Sequence, residues 1–293
     1  MQKETSKIIT NSLYIVATPI GNLKDITLRA LDTLTAADII ICEDTRITKK
    51  LLSHYNILGK KLISYGKHNL NRVTDKIILL LKDNKTIALV SDAGTPLISD
   101  PGAKLIQECY KNNIKVTIIP GASALISAVA LSGLNSTSFY FGGFLENKTS
   151  AIKKQLQAVK SISSSLVFFV ASNKLAKTLE SIIEVFSTTQ KIIIARELTK
   201  IFEEVIIDTA EDLLQKLQTQ KLLGETVLIL PNTVPCITSV DKTDLTTMLK
   251  KYLKEARLKD AITLTANYYN QKGITISKKE LYKLGLTIKT TTK

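Results

Sequence analysis

The sequence predicts an α/β protein: two successive α/β domains followed by a small, basic, helical C-terminal region. Three observations carry that prediction. Short runs rich in β-branched residues alternate with segments of helical period through the first half, the pattern of strands and their covering helices. A polar stretch, Glu146 to Ser150, interrupts the pattern before a second alternation begins. Beyond residue 235 the strand signals stop and basic residues accumulate. A chain of 293 residues suits about two domains of roughly 100 to 200 residues each. The boundaries are placed at residues 1–145, 146–235 and 236–293.

In the first domain Leu13 to Ala17, Asp38 to Cys42, Leu62 to Tyr65, Thr86 to Ser91, Val116 to Ile119 and Phe139 to Phe144 read as strands. Leu28 to Leu34, Ile47 to His54, Arg72 to Leu81, Ala103 to Asn112 and Ser123 to Leu131 read as the helices between them. Such alternation predicts a mainly parallel sheet covered on both faces. Ligands of such sheets bind beyond the carboxyl ends of the strands, so the loops leaving the strands are where chemistry is expected. In the second domain Leu166 to Val170, Lys191 to Arg196, Glu203 to Asp208 and Thr226 to Leu230 read as strands. Helices are expected near Leu175 to Phe186 and Ala210 to Leu222, and Pro231 to Pro235 ends the unit. From Asp241 to Lys293 there are 12 basic and 5 acidic residues, a net +7. Helices are expected there around Thr243 to Arg257, Ala261 to Asn270 and Ser277 to Leu284.

Composition narrows the function. Forty Lys+Arg against 26 Asp+Glu leave a formal charge of +14, which favours a polyanionic partner. With 44% hydrophobic and 23% charged residues the chain has what a packed core needs. Cys42, Cys109 and Cys236 are odd in number and lack a Cys-x-x-Cys pair, which predicts reduced thiols and a cytoplasmic location. His54 and His68 are the only histidines, too few for a nitrogen-rich metal site, and no metal is expected. The apolar run Leu13 to Ala17 is too short for a signal peptide. Ile118 to Leu134 carries Pro120, Gly121 and Gly133 and falls short of a membrane span. Nothing in the chain matches a Gly-x-Gly-x-x-Gly turn or a phosphate-binding Gly-Lys-Ser/Thr loop, so dinucleotide redox chemistry and NTP hydrolysis lack their usual signatures.

Four of the six prolines lie in loops that follow a predicted strand and precede a predicted helix. These are Thr18-Pro19-Ile20-Gly21-Asn22, the segment Asp92 to Gly102, and Pro120-Gly121-Ala122-Ser123-Ala124. The segment Asp92 to Gly102 contains two Gly, two Pro and two Asp. It reads as a stiff loop offering backbone amides and carbonyls above the sheet. Such a site suits a small ligand with polar ends and a cationic centre, of which S-adenosylmethionine is one.

Leu13 to Thr27, Cys42-Glu43-Asp44-Thr45-Arg46, Leu89 to Gly102, Ala195-Arg196-Glu197-Leu198-Thr199-Lys200 and Gly224-Glu225 together resemble the ribosomal-RNA-methylating branch of the tetrapyrrole-methylase superfamily. The resemblance spans roughly residues 12 to 285. It implies S-adenosylmethionine-dependent 2′-O-methylation of a cytidine ribose in the decoding region of 16S ribosomal RNA, in the small ribosomal subunit. It also implies a homodimer and a cofactor cleft between the two domains. The same resemblance implies cofactor contacts from the backbone around Gly94, Thr95, Pro96 and Ile98, with Pro19, Ser123 and Ala124, and closure from the second domain by Phe169, Leu198, Glu225 and Thr226. Some positions depart from the family pattern. Phe169-Val170-Ala171-Ser172 stands where an aromatic-Glu-Ser sequence is usual, Leu223 replaces a Lys before Gly224-Glu225, Ala122 replaces a Pro, and Pro231-Asn232 replaces an acid-Gly pair.

Methyl transfer to a hydroxyl needs an in-line geometry and a group to receive the proton. Glu43-Asp44-Thr45-Arg46 directly follows a strand, placing acids at the ligand edge of the sheet. Arg46 fits either a phosphate or Asp44, and Asp44 or Thr45 also suits a helix N-cap. Asp92 and Asp100 suit the amino group or ribose of a cofactor, or simply a turn. The base is left among Asp44, Asp92, His68 and Lys200, with Lys67 as a phosphate contact. Arg196 and Glu197 read equally as an ion pair or a catalytic pair, and Gly21 is expected to allow a backbone turn. Two rival functions are a small-molecule methylase of the tetrapyrrole type and a catalytically inactive ribosome assembly factor.

Overall fold

A computed structural model of the chain describes residues 11–66, 70–134, 138–219, 222–231, 242–271, 276 and 278–291. The first unit runs β1 (Ser12–Val16), α1 (Leu28–Ala36), β2 (Ile39–Cys42), α2 (Thr45–His54), β3 (Lys61–Ser64), α3 (Leu70–Lys82), β4 (Ile87–Leu89), α4 (Ala103–Lys111), β5 (Lys115–Ile119) and α5 (Ala124–Leu131). A 3-10 turn, Leu23–Asp25, lies between β1 and α1. The strands form one sheet in the order β3-β2-β4-β1-β5, every pair parallel. Residues along β1, β2 and β4 are buried throughout, which is why they read as unbroken apolar runs. Alternate side chains feed two cores. Leu13, Ile39, Ile41 and Ile87 face α3 and α4 residues such as Ile77 and Leu105. Tyr14, Val16, Ile40 and Ala88 face Leu34 and Leu52 of α1 and α2.

The second unit runs β6 (Phe139–Phe144), α6 (Thr149–Val159), β7 (Ser165–Ala171), a 3-10 turn Ser172–Lys174, α7 (Leu175–Val185), β8 (Lys191–Arg196), β9 (Glu204–Thr209), α8 (Ala210–Thr219) and β10 (Glu225–Leu230). Its sheet has the order β6-β7-β10-β8-β9, with β6 parallel to β7 and the other pairs antiparallel. Two features differ from the sequence reading. The strand Phe139 to Phe144, expected within the first domain, hydrogen-bonds to β7 and belongs to the second sheet. The polar segment after it is the start of a helix, α6, that the reading did not include; Ile152, Leu156 and Val159 are its buried stripe.

Helices α9 (Lys242–Leu253), α10 (Leu258–Gln271) and α11 (Lys278–Thr291) follow. They surround a core of their own containing Leu249, Ala261, Ile262, Leu281 and Ile288. Between the two sheets lies a fourth cluster, in which Ile20 and the α5 residues Leu125 and Ala128 pack on Val167, Ile193, Val227 and Ile229 of the second sheet. That contact fixes the loops of the first unit over the face of the second. Among the described residues no helix is long and apolar enough to cross a membrane, and no group of three or more His, Cys, Asp or Glu side chains could hold a metal ion.

Candidate active site

The chain leaving β4 bends back beneath the loop that leaves β1. Thr18 and Gly94 exchange backbone hydrogen bonds of 2.9 and 3.0 Å, and the Thr18 hydroxyl donates to the Ser91 carbonyl at 3.2 Å. This short bridge fixes Gly94 and Thr95 at the carboxyl edge of the sheet. Opposite stands the α5 N-terminus, where Ser123 caps Ile126. Between these loops and the second sheet opens a cleft of about 400 Å³, within the range of cofactor sites.

Six of the expected residues line the cleft from the first unit: Asp92, Gly94, Thr95, Ile98, Ser123 and Ala124. Phe169, Leu198, Glu225 and Thr226 line it from the second. Pro19 and Pro96 are not on its wall; each stiffens a loop whose neighbours, Ile20 and Thr95, are. Asp100, weighed above as a turn or cofactor residue, also lines it. Sequence reading missed Leu125, Phe144, Ala195, Ser172 and Val227. Phe144 reaches the wall because the β6–β7 register shifts between Phe141 and Phe144. Its ring lies 5.2 Å from that of Phe169. The paired glycines Gly142-Gly143 were the available signal.

Among the expected catalytic residues that the structure describes, Asp44, Arg46 and Lys200 stand off the cleft wall, and the base candidate Asp92 is on it. Asp44 stands one hydrogen bond away: its backbone amide donates to Asp92 Oδ1 at 3.1 Å. It caps α2, accepting from the Arg46 amide at 2.8 Å, and Arg46 Nη2 lies 2.6 Å from Asp44 Oδ2. The Arg46 side-chain bond, together with the Arg46 amide, holds the Asp44 carboxyl at about 2. Lys200 contacts Glu197 Oε1 at 3.0 Å and Glu225 Oε2 at 2.9 Å. Partial burial favours loss of its proton, but those two carboxylates outweigh burial and hold Lys200 above its ordinary value. His68, with Lys67, lies outside the described residues.

Asp92 and Asp100 go the other way. Burial pushes Asp92 upward, against the offset of the Asp44 amide. Burial also raises Asp100; a bond from Ser91 opposes it and the Asp92 charge adds to it. Arg196 and Glu197, left open between an ion pair and a catalytic pair, do not pair with each other. Arg196 Nε instead meets Glu204 Oε2 at 2.7 Å, while the Glu197 carboxyl is lowered first by the Glu225 amide and then by Lys200.

Two close approaches join the units. A Cβ on Gly21 would lie 2.6 Å from Lys200 Cγ and 2.9 Å from the Leu198 carbonyl, so that glycine serves contact between loops rather than a turn. The Asn22 amide beside it donates to Thr199 Oγ1 at 3.0 Å. Backbone strain gathers at the same place: Leu97, Ser99, Glu197 and Thr199 all have positive φ, between 49° and 75°. Such residues cost about 1 to 3 kcal/mol each and cluster where function holds them. Finally, Thr226 Oγ1 and Ser172 Oγ are shut from solvent and have no hydrogen-bond partner among the described residues. Both residues line the cleft, and an unpaired buried hydroxyl costs about 1 to 3 kcal/mol.

Residues 12–214 match the family model for Tetrapyrrole (Corrin/Porphyrin) Methylases. A curated protein of Mesomycoplasma conjunctivae named ribosomal RNA small subunit methyltransferase I is 48% identical over 222 residues, covering 76% of this chain and 92% of that one. One of the same name from Haemophilus influenzae is 39% identical over 284 residues, 95% and 97% of the two chains. Among solved structures, a diphthine synthase superposes with a TM-score of 0.57 at 18% identity, over 75% of this chain and 89% of that one. A uroporphyrin-III-C-methyltransferase from Thermus thermophilus gives 0.54 at 18% identity, over 75% and 94%. These two structures share the fold.

Proposed function

The chain belongs to the tetrapyrrole methylase family, in the group named ribosomal RNA small subunit methyltransferase I, and from that premise we propose that it is an S-adenosylmethionine-dependent methyltransferase of 16S ribosomal RNA. The reaction in this reading is 2′-O-methylation of a cytidine ribose in the decoding region, on the small subunit, in the cytoplasm. The names of the relatives support RNA as substrate, and a formal charge of +14 suits it.

The observation that carries the reading is the pair of orphaned hydroxyls, Thr226 Oγ1 and Ser172 Oγ, in the wall of a cleft of cofactor size. Their hydroxyls are closed to solvent and would turn toward a bound cofactor to gain partners, in a wall that lacks the acid usual in the family. Backbone groups around Gly94 and Thr95 face them from the first unit, and Phe144 and Phe169 offer ring faces for a planar heterocycle. S-adenosylmethionine supplies an electrophilic sulfonium methyl. The acceptor of that methyl would be a ribose 2′-oxygen, whose hydroxyl proton must leave. In this reading Asp92 receives it, which is supported by its position on the cleft wall and by burial that raises its affinity for a proton. Asp44 orients Asp92 through its backbone amide. Lys200, a charged amine tied to two carboxylates, braces the second wall.

The homodimer belongs to the same proposal. Edge strands β5 and β6 and the helix α5 that leads from one to the other expose Ile118, Ile126, Leu131 and Tyr140 at 38% or more. In this reading a second copy covers that face, and Ile126→Glu converts dimer to monomer in sedimentation; a wild-type monomer overturns the assignment.

The activity test incubates purified protein and methyl-labelled S-adenosylmethionine with small subunits lacking the decoding-region modification, then identifies labelled nucleosides by mass spectrometry. Label on a cytidine 2′-oxygen is expected. Normal cofactor binding with no labelled RNA overturns the substrate and favours a small-molecule acceptor. Absence of both label and cofactor binding leaves the inactive assembly factor.

A further inference from the structure

The segment between β8 and β9 is held at many points. The Glu197 amide donates to the Glu225 carbonyl at 3.0 Å, the Lys200 amide to the Glu197 carbonyl at 3.0 Å, and the Glu203 amide to the Lys200 carbonyl at 3.1 Å. The Thr199 amide donates to Glu203 Oε2 at 2.6 Å, while Thr199 Oγ1 accepts from Asn22 in the other unit. Two strained residues, Glu197 and Thr199, are fixed by these bonds. Yet at the tip of so constrained a loop Ile201 is 95% exposed and Phe202 70%. Neither side chain takes part in the core or the cleft wall. A loop without slack thus holds two large apolar side chains out in water, immediately after Lys200, whose Glu225 partner lines the cleft.

The surroundings indicate what meets them. Asn22, bonded to this loop, caps the 3-10 turn that bears exposed Lys24. The Tyr55 hydroxyl donates to the Leu23 carbonyl of the same turn, tying on α2, whose Arg46, Lys49 and Lys50 are exposed. The apolar tip is thus tied through hydrogen bonds to a turn and a helix that carry exposed Lys24, Lys49 and Lys50, with exposed Asp25, Glu203 and Glu204 among them. Aromatic platforms beside basic tracks are how proteins hold unpaired nucleotides, and a protein–protein patch would have fewer Lys at its centre.

We propose that Phe202 and Ile201 form a wedge for the substrate RNA: Phe202 stacks on an unpaired base next to the target nucleotide, Ile201 fills the space beside it, and Lys24, Lys49 and Lys50 take the flanking phosphates. The wedge holds the target ribose at the cleft mouth. It is a positioning device and rests on the RNA-methylation reading.

The test uses the full chain and small subunits lacking the decoding-region methyl group, with Phe202→Ala, Ile201→Ser and the conservative Phe202→Tyr. Phe202→Ala is expected to raise KM for the subunit about tenfold, the size of one lost base stack, and Phe202→Tyr to restore most of it. Affinity for S-adenosylmethionine and the melting temperature stay at wild-type values, since neither side chain touches the cleft. A decoding-region RNA with 2-aminopurine beside the target cytidine reads the stack directly, by quenching that Phe202→Ala loses. Wild-type methylation together with an unchanged KM and quench in Phe202→Ala and Ile201→Ser overturns the wedge alone. So does dissociation of a dimer by these variants at unchanged RNA affinity, which would assign the tip to a protein contact. Failure of the unaltered chain to bind or methylate the RNA overturns the functional reading and the wedge with it.

Discussion

Replacing Gly224 by alanine probes the joint on which the second wall of the cleft depends. Gly224 has φ +96°, and a Cβ there would lie 2.3 Å from Glu197 Oε1 and 2.4 Å from its Cδ. The left-handed conformation alone costs alanine about 1 to 2 kcal/mol. The carboxylate must also move, and it accepts from the Glu225 amide at 2.9 Å; losing a hydrogen bond to a charged group costs about 1.5 to 3 kcal/mol. Its contact with Lys200, whose side chain is 30% exposed, adds at most about 1 kcal/mol more. Gly224→Ala should therefore destabilise by about 2.5 to 6 kcal/mol, which for a unit of this size lowers Tm by at least roughly 10 °C. Scanning calorimetry measures it, with Gly59→Ala as control. Gly59 has φ +72° but nothing within 4 Å of its Cβ site, so it bears the conformational cost alone. Because Glu225 and Thr226 line the cleft, Gly224→Ala also weakens S-adenosylmethionine binding in calorimetric titration. A Tm loss no greater than that of Gly59→Ala would refute the packing of Glu197 under Gly224.

Thr226→Val removes an orphaned hydroxyl while keeping its shape. Thermal melting of the free protein should show unchanged or increased stability, while the S-adenosylmethionine Kd rises about two- to tenfold; equal Kd values would mean the hydroxyl meets no ligand. The folded-state pKa of Asp100 is raised above its ordinary 3.8 by burial, so its favourable contribution is present below that value and is lost as pH rises through the folded pKa. Asp100→Asn should thus raise Tm at neutral pH and lose the advantage in melts near pH 3; an advantage that persists there has another cause. Asp44 is held at about 2 by Arg46, so any stability it brings is present above 3.8 and fades only as pH falls toward 2. In Arg46→Ala, carboxyl NMR titration should find Asp44 raised from about 2 toward 3.8 but short of it, because the backbone amide at position 46 still donates to it, and an unshifted value would deny the Arg46 side chain that role.

Strands whose two faces are both buried announced themselves as β-branched runs, so β1, β2 and β4 were legible to within about two residues. α6 was not, because it begins at Thr149 without a side-chain cap and its polar start looks like a linker. β6 was seen as a strand but given to the wrong sheet, since sequence adjacency does not say which edge a strand will join. In the site, loops rich in Gly and Pro were legible because their backbone geometry restricts residue type. The clasp of Lys200 on Glu197 and Glu225 was not, as it joins groups 25 positions apart. Thr226 was named through the family resemblance but Ser172 was not, since an ordinary Ser acquires meaning only when burial strips it of partners.

The titratable groups around the cleft divide by what their surroundings do to charge. Asp44 and Lys200 are each locked in the ionised state by an opposite partner, which makes one a poor base and the other a proton-laden cation. Asp92 and Asp100 are buried toward neutrality, so their affinity for a proton is greater than that of an exposed carboxylate. Groups pushed apart in this way hold different roles within one site. On the proposed reading the locked charges set geometry: Arg46 fixes Asp44, whose amide aims Asp92, while Lys200 draws the Leu198 loop to Glu225. Proton acceptance then falls to Asp92, at the carboxyl end of β4, a central strand where a parallel sheet offers its loops to a ligand.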